Sequence, residues 1–358
     1  MWHDRKILEL LDIEHPIIQA PMAGASDVEL VQAVSNAGAL GSFGAAGTPP
    51  DRLRSIVRAI RERTDRAFNV NLFSSETEDF DRSARPGPRL ARRLADYHAE
   101  MGLGVVPEPE PMLGPAAQQL CVLIDEGVPV ISFHFGADRE SVAKAKRAGA
   151  KVLCSATTIA EAKMLEDVGV DAVIAQGAEA GGHRGTFRGD YRSALIGTLA
   201  LVPQVVDAVS IPVIAAGGIM DGRGLVACLA LGASAVQMGT AFLGSPETPI
   251  PDAWRVSLRR ADAEATTVTV ALSGKPARGI RNRYIDEIEG LDEPLLPYPA
   301  QYSVARELRK AAIERGDPRF MAMWAGQGVA LVRDRAAADL VEDLVRESLR
   351  VVDRLGGL

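Results

Sequence analysis

Short apolar segments alternate with amphipathic segments along the first two-thirds of the chain. The apolar segments are nearly continuous, which is typical of strands buried on both faces of a sheet. We predict strands over residues 16–22, 38–44, 68–73, 129–136, 151–156, 171–175, 212–218 and 233–240. Segments with helical periodicity lie between most of them, over residues 27–37, 48–63, 139–148, 158–168, 198–209 and 221–231. Ser26 is the expected N-cap of the first of these helices.

Repeated strand–helix units predict an α/β fold with a parallel sheet. Eight strands favour a closed (β/α)8 barrel, the TIM barrel. A doubly wound sheet is the alternative fold. It would need a GxGxxG turn after the first strand, and residues 22–26 (MAGAS) do not supply one.

The strand–helix alternation is interrupted after strand three and ends after strand eight. Residues 74–127 form an insertion, in which we predict one helix before and one helix after a proline-rich stretch. Residues 245–358 form a mostly helical C-terminal extension that ends in a helix over 336–355. We therefore predict a barrel at residues 1–244 and an extension at 245–358 that lies over the barrel mouth as a substrate-side lid.

Composition narrows the class of protein. With 358 residues, 47% of them hydrophobic, the chain is long enough for one barrel with insertions. The dispersed net charge of −7 gives no support to nucleic-acid binding. No apolar run is long enough to cross a membrane, and no apolar signal region follows the N-terminus, so we expect a cytoplasmic protein.

Cys121, Cys154 and Cys228 have no metal-ligand spacing and are expected to be buried, reduced thiols.

The most distinctive stretch is residues 176–185 (QGAEAGGHRG), which follows predicted strand six. Gly181 and Gly182 let the backbone approach a ligand closely. His183 comes next, and histidine suits proton transfer because its ordinary pKa lies nearest neutral pH. We interpret His183 as a catalytic or cofactor-contacting residue on a strand-end loop. The alternative is a histidine whose hydrogen bonds are satisfied within a surface turn.

Other strand ends supply groups that could hold a large planar ligand bearing a phosphate. The side-chain amides are those of Gln19, Asn69, Asn71, Gln176 and Gln237. Residues 216–219 (AGGI) and 237–240 (QMGT) end strands seven and eight, where such barrels often bind phosphate through backbone N–H groups. His134 and His183 have no carboxylates at ligand spacing, so no metal site is expected. These features together indicate a flavin site.

In these motifs the chain resembles the nitronate monooxygenase family, FMN-dependent TIM-barrel enzymes formerly called 2-nitropropane dioxygenases. The resemblance covers residues 16 to about 245 and returns at residues 324–328 (WAGQG). It implies FMN as the cofactor and His183 as the catalytic base or substrate anchor. The implied cofactor contacts are Ala20, Pro21, Met22, Asn71, Gln176, Gly181, Gly182, Gly217, Gly218, Gln237, Met238, Gly239 and Thr240. We add His134, Tyr298 and Trp324 as candidate substrate contacts, with packing of the extension as the alternative for the last two.

The resemblance implies oxidation of an alkyl nitronate by O2 to a carbonyl compound and nitrite, with propionate 3-nitronate as the expected substrate. A cationic His183 or Arg184 would attract the anionic nitronate. An FMN-dependent enoyl-acyl-carrier-protein reductase using NAD(P)H is a close alternative, because it shares the barrel and nearly the same histidine loop. A non-catalytic flavin-binding barrel is a third. A homodimer is left open as the assembly.

Overall fold

The architecture is that of a computed structural model, which describes residues 2, 5–74, 81, 83–111 and 116–356. A single eight-stranded sheet forms its centre. The strands of this sheet are β1 (Ile17–Gln19), β2 (Gly41–Gly44), β3 (Phe68–Phe73), β4 (Val130–His134), β5 (Lys151–Ala156), β6 (Ala172–Gln176), β8 (Val213–Ala216) and β9 (Ala235–Met238). A second sheet is built from β7 (Gly182–His183), β10 (Thr266–Thr269) and β11 (Ala277–Ile280).

The eight strands are parallel and follow the order β1-β9-β8-β6-β5-β4-β3-β2. The two ends of this order meet, because Ile18 forms a parallel bridge with Leu40 just before β2. Two backbone hydrogen bonds of 2.9 Å support the bridge, from Gln19 N to Leu40 O and from Leu40 N to Ile17 O. The structure therefore confirms the (β/α)8 barrel and not the doubly wound sheet.

Alternation along each strand separates the barrel interior from the helix layer. In β6, Ala172 and Ile174 belong to an apolar cluster inside the barrel, whereas Val173 and Ala175 pack in the larger cluster beneath the helices. Both sets are buried, which is why the strands appear in the sequence as continuous apolar runs.

Helices flank the barrel and build the segments above it. They are α1 (Lys6–Leu11), α2 (Val28–Asn36), α3 (Pro50–Arg61), α4 (Pro88–Glu100), α5 (Ala116–Asp125), α6 (Arg139–Arg147), α7 (Ile159–Val168), α8 (Thr198–Val206), α9 (Gly222–Ala230), α10 (Thr240–Leu243), α11 (Asp252–Arg260), α12 (Arg283–Glu289), α13 (Ala300–Val304), α14 (Arg306–Arg315) and α15 (Ala337–Gly356). Short 3-10 helices span Pro318–Phe320 and Val329–Leu331. The two helices expected in the insertion are α4 and α5.

The N-cap of α2 is Asp27 and not Ser26, which corrects the sequence expectation. The Asp27 carboxylate accepts hydrogen bonds of 3.1 Å from the backbone N–H groups of Glu29 and Leu30. The Ser26 hydroxyl instead donates to Met22 O and accepts from Gly44 N, so it ties the loop after β1 to β2. Sequence alone does not distinguish adjacent Ser and Asp residues, since both residue types are favoured caps.

A separate apolar cluster lies above the barrel and joins the insertion to the extension. It contains Leu90, Leu94 and Tyr97 of α4 together with Tyr284 and Phe320 of the extension. The last helix, α15, packs elsewhere: its buried face lies against α9 and α2 and joins the barrel's helix layer. The boundary at residues 244 and 245 stays a prediction.

The three cysteines differ in their exposure to solvent. Cys154 and Cys228 are buried as expected, but the expectation for Cys121 is wrong, because it lies on the exposed side of α5. Over the described parts of the chain, no helix is both long and apolar enough to cross a membrane.

Candidate active site

The carboxyl ends of the barrel strands open into one cavity of about 450 Å³, within the size range of small-molecule sites. Every residue assigned above to catalysis, to the FMN cofactor or to substrate contact lines this cavity, whereas Gln19, Asn69 and Arg184 do not. These residues are His183, with Ala20, Pro21, Met22, Asn71, Gln176, Gly181, Gly182, Gly217, Gly218, Gln237, Met238, Gly239 and Thr240 for the cofactor, and His134, Tyr298 and Trp324 for the substrate. The structure thus brings the whole predicted set together, while the role of each residue stays a prediction.

The cavity wall is mostly apolar and carries no ionised side chain. None of the described residues that line it is Asp, Glu, Lys or Arg. Part of the wall is aromatic and comes from β3 and the extension: Phe73, Trp254, Tyr298, Tyr302 and Trp324. Such a wall suits a planar or apolar ligand and discourages water.

Another part of the wall is bare backbone at the ends of β8 and β9. Gly217 and Gly218 have φ angles of +118° and +70°, a region that glycine enters without strain. Close packing fixes Gly181, since a Cβ there would lie 2.6 Å from the backbone of Ala325 and Gly326. The motif WAGQG therefore seals the side of the histidine loop, with Thr240 Oγ1 accepting a 2.8 Å hydrogen bond from Gly326 N.

His183 is held in place by the hairpin of β10 and β11. The short strand β7 pairs with β11, so that His183 lies opposite Ala277. The imidazole Nε2 is 2.9 Å from the hydroxyl oxygen of Ser273, in the turn of this hairpin. The ring centroids of Trp324 and Tyr298 lie 5.3 and 5.6 Å from that of His183. The histidine is thus enclosed by residues that are distant in the sequence.

This enclosure keeps His183 neutral. Burial is the main cause that lowers the pKa of His183 to about 3, and the neighbouring His134 and the Lys275 ammonium lower it further. Lys275 lies behind the aromatic wall, with its Nζ 4.2 Å from the ring centroid of Phe135. The expectation of a cationic His183 that attracts a nitronate is therefore wrong near neutral pH.

His134 and Gln176 hold the backbone of His183 through its carbonyl oxygen. Gln176 Nε2 donates to it at 3.0 Å and His134 Nε2 at 3.2 Å. Because a carbonyl only accepts, His134 carries its proton on Nε2, and its Nδ1 accepts from Ser155 Oγ at 2.6 Å. Burial lowers the pKa of His134 to about 4. Both ring nitrogens of His134 thus already form hydrogen bonds, so a substrate could contact only the edge of this ring.

Arg184 stabilises the loop that carries His183 and does not line the cavity. Its buried guanidinium donates to the carbonyl oxygens of Gly177, Gln176 and Ala194 at 2.5 to 3.1 Å, and burial lowers its pKa to about 10. It is absent from the cavity wall, so the expectation that Arg184 attracts an anionic substrate is wrong. Glu179 likewise fixes the loop, since its carboxylate accepts hydrogen bonds from the backbone N–H and the hydroxyl of Thr198.

Two of the amides proposed from the sequence do not reach the cavity. Gln19 accepts a 2.8 Å hydrogen bond from Ser42 N and so joins β1 to β2. The Asn69 side chain is buried one layer deeper in β3, without a hydrogen-bond partner among the described residues. Both are side-chain amides near the ends of predicted strands, which is the pattern that suggested them.

Ser273 and Trp254 are part of the site but are not predicted by the sequence patterns. Ser273 is followed by Gly274 after a segment rich in β-branched residues (266–270, TTVTV), which is the one part of a hairpin signal present in the sequence. No comparable pattern identifies Trp254, which reaches the cavity from α11.

Comparison with known proteins gives a consistent result over the whole chain. The family model for nitronate monooxygenase matches residues 5–347. A nitronate monooxygenase of Pseudomonas aeruginosa is 44% identical, with 96% of this chain and 98% of that protein covered. A probable nitronate monooxygenase of Staphylococcus saprophyticus is 39% identical, with 98% and 99% covered.

Solved structures agree with these relatives. A nitroalkane oxidase from Streptomyces ansochromogenes superposes with a TM-score of 0.88 at 40% identity, covering 98% of this chain and 99% of that one. FabK from Thermotoga maritima superposes with a TM-score of 0.77 at 33% identity, covering 98% of both chains.

Proposed function

Because the chain belongs to the nitronate monooxygenase family, a family of flavin-dependent oxidoreductases, we propose that it oxidises alkyl nitronates with FMN and O2. The products are a carbonyl compound and nitrite, and propionate 3-nitronate is the proposed substrate. The observation that carries this proposal is the state of His183. It is enclosed by aromatic rings, has no carboxylate partner among the described residues, and has its pKa lowered to about 3.

A histidine with so low a pKa is a weak base. Each unit of pKa corresponds to a tenfold change in proton affinity, so removing the α-proton of a neutral nitroalkane is demanding at this site. A nitronate has already lost that proton and needs no base. The site therefore suits nitronates best, and neutral nitroalkanes are expected to be slower substrates that depend on His183.

The cavity fits a flavin in two observed respects. Gln237 lines the cavity, and its Oε1 is a buried acceptor with no hydrogen-bond partner among the described residues, which is an acceptor that a ring N–H of the cofactor would satisfy. Gly217, Gly218 and Gly239 present backbone to the cavity where a phosphate would be bound by N–H groups. A single phosphate site of this kind favours FMN.

When bound, FMN accepts electrons from the substrate and passes them to O2. The protein's own contribution is positioning and exclusion of water. Asn71 and Gln237 would orient the ring, while Tyr298 and Trp324 of the extension cover the cavity and act as the proposed substrate-side lid. His134 and Gln176 keep the backbone of His183 fixed against this surface.

The likeness to FabK leaves the enoyl-acyl-carrier-protein reductase alternative open, although the relatives of highest identity described above do not favour it. A non-catalytic flavin-binding barrel is disfavoured because His183 and the glycine loops line the same cavity. The cytoplasmic location and the homodimer remain predictions.

Oxygen consumption by the FMN-loaded protein distinguishes the two catalytic alternatives. We expect propionate 3-nitronate to cause O2 uptake and nitrite release with no NADH present. A parallel sample receives NADH and an enoyl thioester. Oxidation of NADH that requires the thioester, with no O2 uptake from the nitronate, would reject the proposal in favour of the reductase.

A further inference from the structure

We propose that Ser273 is a positioning residue that fixes the tautomer of His183, so that Nε2 carries the proton and Nδ1 faces the cavity as the proton acceptor. The hydrogen bonds that Ser273 forms with its neighbours do not involve a substrate. Its kinetic consequence rests on the proposed function.

The Ser273 hydroxyl has three neighbours and a single proton. Its oxygen lies 3.1 Å from Lys275 O, 3.3 Å from Lys275 N and 2.9 Å from His183 Nε2. The carbonyl of Lys275 can only accept and the backbone N–H can only donate. The hydroxyl proton therefore goes to Lys275 O, and the oxygen accepts from Lys275 N–H and from Nε2–H. The opposite tautomer of His183 would take the hydroxyl proton away from the carbonyl.

The other ring nitrogen is left for the substrate. Nδ1 of His183 has no hydrogen-bond partner among the described residues and is not one of the buried, unpartnered side-chain atoms. Since His183 lines the cavity, this nitrogen is open to a ligand there. In the neutral tautomer assigned above, it carries a lone pair and no proton.

The hairpin gives Ser273 little freedom to rearrange. Ser273 is fully buried, and so is the neighbouring Ala271, whose carbonyl accepts a 2.9 Å hydrogen bond from Gln301 Nε2. On the other side of the turn, Pro276 O accepts from Arg184 N at 2.9 Å, next to His183 itself. The distance between the hydroxyl and the imidazole is thus fixed by a hydrogen bond to a backbone carbonyl on each side of Ser273.

This arrangement affects neutral substrates and nitronates differently. With a neutral nitroalkane, the α C–H bond breaks, its electron pair stays on the substrate as the nitronate, and the proton moves to Nδ1. The imidazolium that forms still donates Nε2–H to Ser273. A preformed nitronate needs no such transfer, so Ser273 matters little for its turnover.

The test compares Ser273→Ala with Ser273→Thr, which keeps the hydroxyl. Ser303→Ala is the matched control, because Ser303 is also buried and, among the described residues, its hydroxyl bonds only Ala300 O and Glu110 N. We expect Ser273→Ala to lower kcat/KM for nitroethane about tenfold, which is the effect expected from the loss of about one hydrogen bond. The value of kcat/KM for ethyl nitronate should change less than about twofold. Ser273→Thr and Ser303→Ala should keep the wild-type ratio of the two values.

Nitrogen-15 NMR of histidine-labelled protein reads the tautomer without any turnover. The chain has five histidines, so His183 can be assigned by comparison with a His183→Asn variant. We expect a proton on Nε2 alone in the wild type and a mixture of tautomers in Ser273→Ala. A proton on Nδ1 in the wild type, or an unchanged tautomer in Ser273→Ala, would overturn the proposal. If no nitronate is oxidised by the wild type, the proposed function fails and the NMR result alone decides the role of Ser273.

Discussion

Proton transfer and cofactor binding can be separated at a single residue, His183. In a His183→Asn variant the side chain stays polar, but an amide does not accept a proton near neutral pH. We expect turnover of a neutral nitroalkane to fall about 10²- to 10⁴-fold, because no base remains to remove the α-proton. The visible absorbance of bound flavin should persist, since the proposed flavin contacts come from other residues.

A preformed nitronate is the control for this variant. It should lose far less activity than the neutral nitroalkane, because its carbon is already deprotonated. Equal losses with both substrates would show that His183 acts on binding and not on proton transfer.

The two histidines that line the cavity, His134 and His183, make the free energy of unfolding depend on pH. The pKa of His183 is lowered to about 3 and that of His134 to about 4, whereas an unfolded histidine titrates at about 6.5. Between these values the unfolded chain binds protons that the folded chain does not. Stability should therefore fall as the pH drops from about 6.5 towards 4.

Urea unfolding at pH 7 and pH 5 measures this effect. The drop in stability between the two pH values should be smaller in a His134→Gln variant, whose amide can still donate to His183 O. A wild-type protein that is equally stable at both pH values would contradict the assigned burial of these rings.

At this scale the sequence singled out His183, which lines the cavity, but did not predict its charge, and its role stays a prediction. His183 follows a strand and two glycines, and that local pattern is sufficient to identify it. Its neutrality depends on Phe135, Tyr298 and Trp324, which come from separate segments and meet only in the fold. The same reason explains the error about Arg184, whose partners are backbone carbonyls that no sequence pattern specifies.

Among the elements, α15 gives the clearest test of the barrel's helix layer. Leu340 is fully buried against the cluster shared with the barrel helices, whereas Leu349 of the same helix is 41% exposed. Leu340→Ala should lower the free energy of unfolding by about 2–5 kcal/mol, while Leu349→Ala should change it by less than about 0.5 kcal/mol.

Urea unfolding of the two variants side by side makes this comparison. Similar small effects would mean that α15 does not pack against the barrel in solution. Similar large effects would mean that Leu349 is covered by another surface.

Strands and helices of the barrel were predictable because each repeats a strong local signal. β3 and β5 have the predicted bounds, and most helices differ by only a few residues at their ends. The hairpin of β10 and β11 was not predicted, since its strands are four residues long and only partly apolar. Its partner β7 consists of two residues within a glycine-rich loop, where no strand pattern exists.

At the scale of the whole molecule, the barrel supplies one side of the cavity and the extension supplies the other. The sequence identifies the motifs at the strand ends locally and places Tyr298 and Trp324 far along the chain, and the division into barrel and extension stays a prediction. It could not predict how the parts contact each other. Ser273 reaches His183 only because a hairpin of the extension pairs with the histidine loop. Contacts of this kind depend on tertiary packing and are not specified by residue spacing.

In the proposed function, electrons enter the flavin from a nitronate and not from NADH. Anaerobic mixing of the FMN-loaded protein with propionate 3-nitronate, or separately with NADH, tests it directly through the visible absorbance of the flavin. We predict that the nitronate changes the flavin spectrum promptly and that NADH leaves it unchanged. Reduction of the flavin by NADH, with no response to the nitronate, would contradict the account.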